Sequence, residues 1–454
     1  MTNRVAFCTF GCRINQYDTE TIRTLLEESG RFRTVSLRES ADVYVVNTCS
    51  VTTQSDATAR KAIRRISGER PTAKIIVTGC YAQRASAELA KLPGVVLVLG
   101  VADRIRIVSE IEKCLAIDSS SQGQKWVEDP NFPQRIIVSP PSADTFPEIP
   151  IAKMMDRSRA VVKIQDGCNG VCSFCIVPQT RGRSRSREPK KIMEQINRLV
   201  DNGYREVVLA GIHLGDYGSD LGSGAPTLAK LIGEILTIPG LVRFRLSSIG
   251  PGAISEEIIR LMASEEKFAR HFHIPLQSGS DEILARMNRD YTVAQFERLI
   301  RDITDAIPDC GIGTDIICGF PGESEAHFRE TVARITALPI SYLHPFPYSA
   351  RPGSPAEGYA NQVPSEERKS RTRVLKQLSR TKNRAFRERH LGHTVTVLLE
   401  DQRKGGKETG RVCFGWTDNY LRVAVREVPA DTNGLKAVRI TEVSDDGLIG
   451  VLAS

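Results

Sequence analysis

Long apolar runs are absent from this 454-residue chain: no stretch of about 18 consecutive apolar residues occurs, which excludes a transmembrane helix of ordinary length. The opening MTNRVAFCTFGC has no apolar core behind a basic start, so no secretory signal is expected. Extremes of composition are missing too. With 41% hydrophobic residues and a formal charge of only +8, the sequence is neither disordered nor fibrous. Its length suggests roughly three domains. A soluble, cytoplasmic monomer without a membrane partner is the expectation. In that reducing compartment the eleven cysteines, where clustered, point to metal ligands or catalytic thiols rather than disulfides.

Positive charge is modest in total but clustered. RGRSRSREPKK, residues 181–191, holds six basic residues against Glu188, and SEERKSRTRVLKQLSRTKNRAFRERH, residues 365–390, holds ten against three Glu. One basic helix can be an ordinary solvated face, whereas two such runs favour a polyanion, most simply nucleic acid. The candidate RNA contacts are Arg181, Arg183 and Arg185 in the first run. In the second they are Arg373, Lys376, Arg380 and Arg384, spaced by three or four residues along one helix side.

The fold class is α/β. Residues 1–116 alternate apolar runs (4–10, 42–48, 73–79, 94–100) with helix-like stretches, the pattern of a doubly wound parallel sheet. Residues 117–155, rich in Ser, Gly and Pro, read as a linker. In the central domain, 156–390, strands are predicted near 161–165, 205–210, 242–247, 271–275, 312–317 and 341–346. Six strand–helix units fall short of the eight of a closed TIM barrel, so a partial (β/α)6 barrel with an open side able to admit a macromolecule is predicted, ending in the basic helix. Residues 391–454 read as five short strands, a small all-β barrel of a kind that often binds nucleic acid.

DGCNGVCSFC places Cys168, Cys172 and Cys175 in a C-x3-C-x2-C loop at the end of the first central strand. A structural zinc site needs a fourth ligand, and the nearest downstream candidate, His213, ends another strand. An iron–sulfur cluster on three cysteines would instead leave one iron open for a small molecule to chelate. Spacing alone allows both. Cys12, Cys49 and Cys80 each follow a predicted strand of the N-terminal domain, at the edge where parallel sheets bind ligands. Any one of them could be a small buried apolar residue; three at equivalent positions point to a ligand set. Cys8, Cys114, Cys310, Cys318 and Cys413 read as structural.

The C-x3-C-x2-C motif, with Phe174 just before its third cysteine and on a partial barrel, resembles the radical S-adenosylmethionine superfamily. Together with the N-terminal trio and a terminal barrel like the TRAM domain, it resembles the methylthiotransferases over essentially the whole chain. That resemblance implies two 4Fe–4S clusters, one on Cys168, Cys172 and Cys175 and one on Cys12, Cys49 and Cys80. S-adenosylmethionine would bind the open iron of the first and yield a 5′-deoxyadenosyl radical. The open iron of the second would hold the sulfur being transferred, and a second S-adenosylmethionine would give the methyl group. A reducing electron donor such as flavodoxin or ferredoxin and a sulfur source are implied partners.

Barrel strand ends are where such a fold keeps its chemistry. Gly211, His213, Ser247 and Gln277 lie there, and with Phe174 they are the candidate S-adenosylmethionine contacts, although turn glycines and ordinary caps would give the same pattern. Family members commonly carry a Glu where Gly250 stands and an aromatic where Gln179 stands. GCRINQYDTE, QDGCNGVCSFCIVPQTRGRSRSR and HPFPYSARPGSPA look most like the enzymes that methylthiolate N6-threonylcarbamoyladenosine at position 37, in the anticodon stem-loop of tRNA. The competing substrates are N6-isopentenyladenosine in tRNA and a ribosomal-protein aspartate. A reading of another class is a non-catalytic iron–sulfur RNA-binding protein.

Overall fold

The computed structural model describes residues 2–120, 135–141, 146–149, 151, 153–154, 159–403, 412–426, 428 and 434–453. The N-terminal sheet has six parallel strands: β1 Asn3–Thr9, β2 Phe32–Thr34, β3 Val43–Thr48, β4 Lys74–Gly79, β5 Val95–Leu99 and β6 Arg135–Ile137. Their spatial order is β2-β1-β3-β4-β5-β6. Every residue of β3, β4 and β5 is buried, as apolar runs must be when helices cover both faces. On one face lie Ile22 and Leu26 of the helix Arg13–Glu28 with Ile107 and Ile111 of Ile107–Ser120. On the other lie Ala59 and Ile63 of the helix Thr53–Glu69.

Two of these strands correct the sequence reading. The short β2 extends the sheet beyond β1, and β6 falls inside the segment expected to be a linker. That segment instead returns to the sheet: β6 pairs with β5, and Ser139 donates its backbone N–H to Asp103 Oδ2 at 2.8 Å. Residues 121–134 of it lie outside the described residues.

The central domain begins at β7 Arg159–Lys163, followed by a two-residue ladder, β8 Gln165–Asp166 with β9 Arg185–Ser186. Five further strands follow: β10 Glu206–Ala210, β11 Arg243–Leu246, β12 His271–His273, β13 Gly311–Cys318 and β14 Tyr342–Pro347. They pair in parallel as β11-β10-β7 and β12-β13-β14, and single bridges Phe244↔Phe268 and Ser248↔His273 join the two halves. All six predicted strands are present, and no ladder closes β14 onto β7 among the described residues.

The N-terminal domain spans that opening. On the β7 side, Ile14 and Tyr17 of the helix Arg13–Glu28 enter the barrel's own core, and Tyr17 Oη donates to Gln195 Oε1 at 3.2 Å. On the β14 side, Arg351 donates to Ser50 Oγ at 2.9 Å and to Asp56 Oδ2 at 2.5 Å.

A closed barrel follows, built of β15 Thr394–Arg403, β16 Val412–Thr417, β17 Arg422–Arg426, β18 Gly434–Ser444 and β19 Gly447–Leu452, ordered β15-β16-β17-β19-β18. It docks on the N-terminal ends of the central strands. Arg243 donates to the carbonyls of Trp416 and Thr396, and Arg245 to those of Asp418 and Thr417. Buried Glu206 accepts from Arg245 Nε at 2.9 Å, so the guanidinium is paired as well as bonded. Removing one partner from such a buried pair costs about 3–5 kcal/mol.

The helix Ser365–Glu388 connects the two barrels. Leu375 packs into the central core, Ser379 Oγ accepts from the Leu343 N–H at 2.8 Å, and Phe386 enters the small barrel's core. Arg373, Lys376, Arg380 and Arg384 face outward on the opposite side, all exposed.

Candidate functional site

Three neighbouring strands deliver the N-terminal thiols. Cys12 caps the helix after β1, Cys49 follows β3 and Cys80 opens the helix after β4, and β1, β3 and β4 lie side by side in the sheet. The turn before Cys80 requires glycine: Gly79 has φ +97°, and a Cβ there would lie 2.3 Å from the Thr48 carbonyl oxygen. Burial, helped by the neighbouring Cys80 and Cys12 sulfurs, raises the Cys49 thiol to about 11.

A buried charge network lies behind this trio. Arg181 donates from Nε to Cys80 Sγ at 3.3 Å, from Nη1 to Asp166 Oδ1 at 2.9 Å, and from Nη2 to Asn15 Oδ1 at 2.6 Å and Asp18 Oδ2 at 2.9 Å. Lys163 joins the same carboxylates at 2.8 and 2.9 Å, and Arg104 pairs with Asp18. Burial would raise both carboxyls, but the Arg104, Lys163 and Arg181 cations prevail and hold them well below the usual range. Three cations against two carboxylates leave one positive charge in excess. Three thiolates around a dipositive iron–sulfur cluster carry about one negative charge, so the surroundings fit that group.

The second trio lies on the loop after β8. Gly167, at φ +74°, brings the chain so close that a Cβ would be 2.0 Å from the Arg183 carbonyl oxygen. Each sulfur has a donor: Gly170 N–H to Cys168 at 3.2 Å, Arg289 Nη1 to Cys172 at 2.9 Å, and Val177 N–H to Cys175 at 3.4 Å. Burial, helped by the neighbouring Cys172 and Cys168 sulfurs, raises the Cys175 thiol to about 12. As free thiols Cys168 and Cys175 would stay protonated near neutral pH, whereas metal coordination deprotonates a thiol outright. The donors aimed at sulfur fit an iron–sulfur cluster, whose sulfurs accept such bonds.

The remaining candidates divide. His213 is brought to this loop: its ring nitrogen, Cys168 Sγ and an Asp216 oxygen all lie within 4.8 Å of one another, and His213 Nδ1 is 2.9 Å from Asp216 Oδ1. Gly211 lies against Gln165 and Leu214. Phe174 packs on the cluster of Ile283, Met287, Phe320 and Tyr348. Ser247 follows β11 with its buried hydroxyl unpartnered, and Gln277 follows β12 at φ +70°, uncommon for a residue with a side chain. At Gln179, where an aromatic is common, the carboxamide donates to the Gly353 carbonyl at 2.6 Å.

Two expectations are corrected. Arg181 and Arg185, taken as RNA contacts, are buried: the first serves the N-terminal trio, and the second donates to the carbonyls of Arg181 at 3.1 Å and Arg183 at 3.4 Å. The alternation of arginine with small residues reads as a surface run, yet Arg181 ends the short helix Val177–Arg181 and Arg185 opens β9, and both turn inward where carboxylates and carbonyls satisfy them. Arg183 stays exposed. Sequence reasoning missed Asp18, Lys163, Asp166 and Arg289. Arg289 is 117 residues from its sulfur partner, and no local pattern marks it.

Beside the helix Ser365–Glu388 a cavity of about 1130 Å³ opens between the domains. Thr52, Thr53 and Gln54 line it from the N-terminal domain, His344–Ala350 from β14 and its loop, and Arg368, Lys369, Lys376 and Arg380 from the helix. No helix among the described residues is long and apolar enough to cross a membrane.

A partial parallel barrel with three cysteines on the loop beyond its first strand defines a radical S-adenosylmethionine enzyme, and residues 162–335 match the radical SAM superfamily. Residues 4–100 match the family described as uncharacterized protein family UPF0004. The chain is 38% identical to the threonylcarbamoyladenosine tRNA methylthiotransferase MtaB of Bacillus subtilis, over 93% of this chain and 90% of that one. It is 35% identical to a tRNA-2-methylthio-N(6)-dimethylallyladenosine synthase of Thermotoga petrophila, over 89% and 87%. A solved radical S-adenosylmethionine methyltransferase, TsrM from Kitasatospora setae, shares the fold at 17% identity, with a TM-score of 0.53 over 78% of this chain and 75% of that one. The chain belongs to the radical S-adenosylmethionine methylthiotransferase family, transferases that use S-adenosylmethionine and two 4Fe–4S clusters.

Proposed function

We propose that this protein replaces the C2 hydrogen of N6-threonylcarbamoyladenosine at position 37 of tRNA by a methylthio group. The observation that carries the reading is the pair of three-cysteine sites, each without a fourth cysteine, joined by Arg181, which starts six residues beyond the second trio and ends on the first. Cys168, Cys172 and Cys175 would hold the cluster that binds S-adenosylmethionine, and Cys12, Cys49 and Cys80 the cluster that carries the sulfur. When bound, these groups supply the radical and the methylthio group; the protein's own task is to orient the adenine between them and exclude water.

Phe174, Gly211, His213, Ser247 and Gln277 are assigned to the S-adenosylmethionine pocket. Arg183, Arg373, Lys376, Arg380 and Arg384 are assigned to the anticodon stem-loop, whose phosphates the basic wall of the large cavity would meet. The relatives named as threonylcarbamoyladenosine enzymes support the choice of nucleoside. An electron donor such as flavodoxin or ferredoxin, a sulfur source, a monomeric state and a cytoplasmic location complete the reading.

Mass spectrometry of tRNA nucleosides from a deletion strain is the test. The 2-methylthio derivative of threonylcarbamoyladenosine should vanish and return on complementation. Loss of the isopentenyladenosine derivative instead, or an unchanged tRNA with an altered ribosomal protein, would overturn the substrate.

A further inference from the structure

Away from the cysteines, β12, β13 and β14 turn a set of polar side chains to one face. Register pairs His273 with Gly313, Gly313 with Tyr342 and Asp315 with His344, so the side chains of His273, Asp315, Tyr342 and His344 share that face. His273 Nε2 is 2.9 Å from Asp315 Oδ1, and His344 Nδ1 is 3.5 Å from the same oxygen. Two ligands each about 2.1 Å from one ion, at tetrahedral to right angles, stand about 3.0–3.4 Å apart, close to the 2.9 and 3.5 Å seen.

A second observation is the support of His273 from behind. Its other nitrogen, Nδ1, is 3.3 Å from Tyr342 Oη, which is 2.8 Å from Nε2 of buried His271. With Nε2 of His271 accepting from the tyrosine hydroxyl, Tyr342 Oη is free to accept from His273 Nδ1–H. Nε2 of His273 then carries a lone pair toward the carboxylate. A histidine ligand oriented through its far nitrogen is the usual outer-shell arrangement of metal sites. The Tyr342 ring lies where any side chain at residue 313 would stand, so glycine there lets the hydroxyl reach both imidazoles.

We propose that His273, Asp315 and His344 form a site for one divalent cation of the borderline first-row kind, such as Mn²⁺, Fe²⁺ or Zn²⁺. Two imidazoles and a single carboxylate leave the ion with net positive charge and open positions, which take an anionic oxygen ligand. His344 also lines the basic cavity, so that ligand arrives from the cavity side. Its use in choosing substrate rests on the reading above: a threonylcarbamoyl group offers a carboxylate, and an isopentenyl group offers none.

The test uses the full-length protein with both clusters assembled and oxidised, a diamagnetic state in which Mn²⁺ is seen by electron paramagnetic resonance. One Mn²⁺ per chain should bind, with nitrogen modulation from histidine, and Zn²⁺ should displace it. His273→Ala, Asp315→Asn and half-exposed His344→Ala should each weaken binding at least tenfold with cluster iron unchanged, and His344→Gln serves as a gentler variant. No binding of either metal, or binding indifferent to all four changes, would overturn the site. Because the titration contains no RNA, that result is separate from failure of the tRNA assignment. Adding a stem-loop with threonylcarbamoyladenosine should alter the bound Mn²⁺ spectrum, and one with unmodified adenosine should not; equal spectra would overturn the role in substrate choice while leaving the site.

Discussion

Arg181 of the central domain donates to the sulfur of Cys80 in the N-terminal domain at 3.3 Å, across 101 residues of sequence. The same guanidinium spans Asp166 and Asp18, so one side chain ties the loop of the second cysteine trio to the site of the first. The two sites are therefore coupled mechanically and electrostatically.

Arg181→Gln should remove a buried cation from Asp18 and Asp166 and the donor from Cys80. A loss of about 3–5 kcal/mol is expected for a broken buried pair. Iron content should fall toward four per chain, and the N-terminal cluster should change its reduction potential. Thermal unfolding and iron analysis check this; an unaltered melting temperature and potential would mean that Lys163 and Arg104 suffice.

The two trios should be separable by mutation. Changing Cys168, Cys172 and Cys175 together to Ala should remove about half of some eight irons and abolish 5′-deoxyadenosine formation. Changing Cys12, Cys49 and Cys80 to Ala should leave S-adenosylmethionine cleavage and abolish methylthio insertion. Persistent cleavage in the first variant would sink the division of labour.

Backbone geometry offers a second route to the same separation. Gly79→Ala places a Cβ 2.3 Å from the Thr48 carbonyl, and Gly167→Ala one 2.0 Å from that of Arg183, both at positive φ. Strain of at least about 1–2 kcal/mol is expected from each conformation alone, before the clash is counted. The first should impair the N-terminal cluster and the second the cluster that cleaves S-adenosylmethionine, as read by iron content and 5′-deoxyadenosine yield.

On the outer face of the helix Ser365–Glu388, replacing Arg373, Lys376, Arg380 and Arg384 with Gln should weaken tRNA binding and lower its salt slope by up to about 3–4. Arg384 already pairs with Glu388 at 2.9 Å, so its share should be the smallest. Uncoupled S-adenosylmethionine cleavage should be unchanged. Filter binding across a salt series decides it, and an unaffected slope would leave the helix a connector only.

Much of this was legible locally. Six central strands, five terminal strands and the helices between them follow from apolar period and turn residues, because burial on one or both faces imposes that period on neighbouring residues. The cysteine sets were legible for a related reason: one is written as spacing in a loop, the other as a repeated position after strands. β2 and β6 were not, since three-residue strands at a sheet edge carry too little apolar period to register.

The sequence by itself thus determined the elements, their order and which thiols could act as ligands. The tertiary structure decided where the charges go. Arg181 and Arg183 are indistinguishable as letters two positions apart, but the fold buries one among Asp18, Asp166 and Cys80 and leaves the other in water. Arg289 reaches Cys172, and His273, Asp315 and His344 converge, only because parallel strands far apart in sequence lie beside one another. Desolvation and pairing act between groups a few ångströms apart in space, and at separations of tens to hundreds of residues only the packed chain fixes those distances.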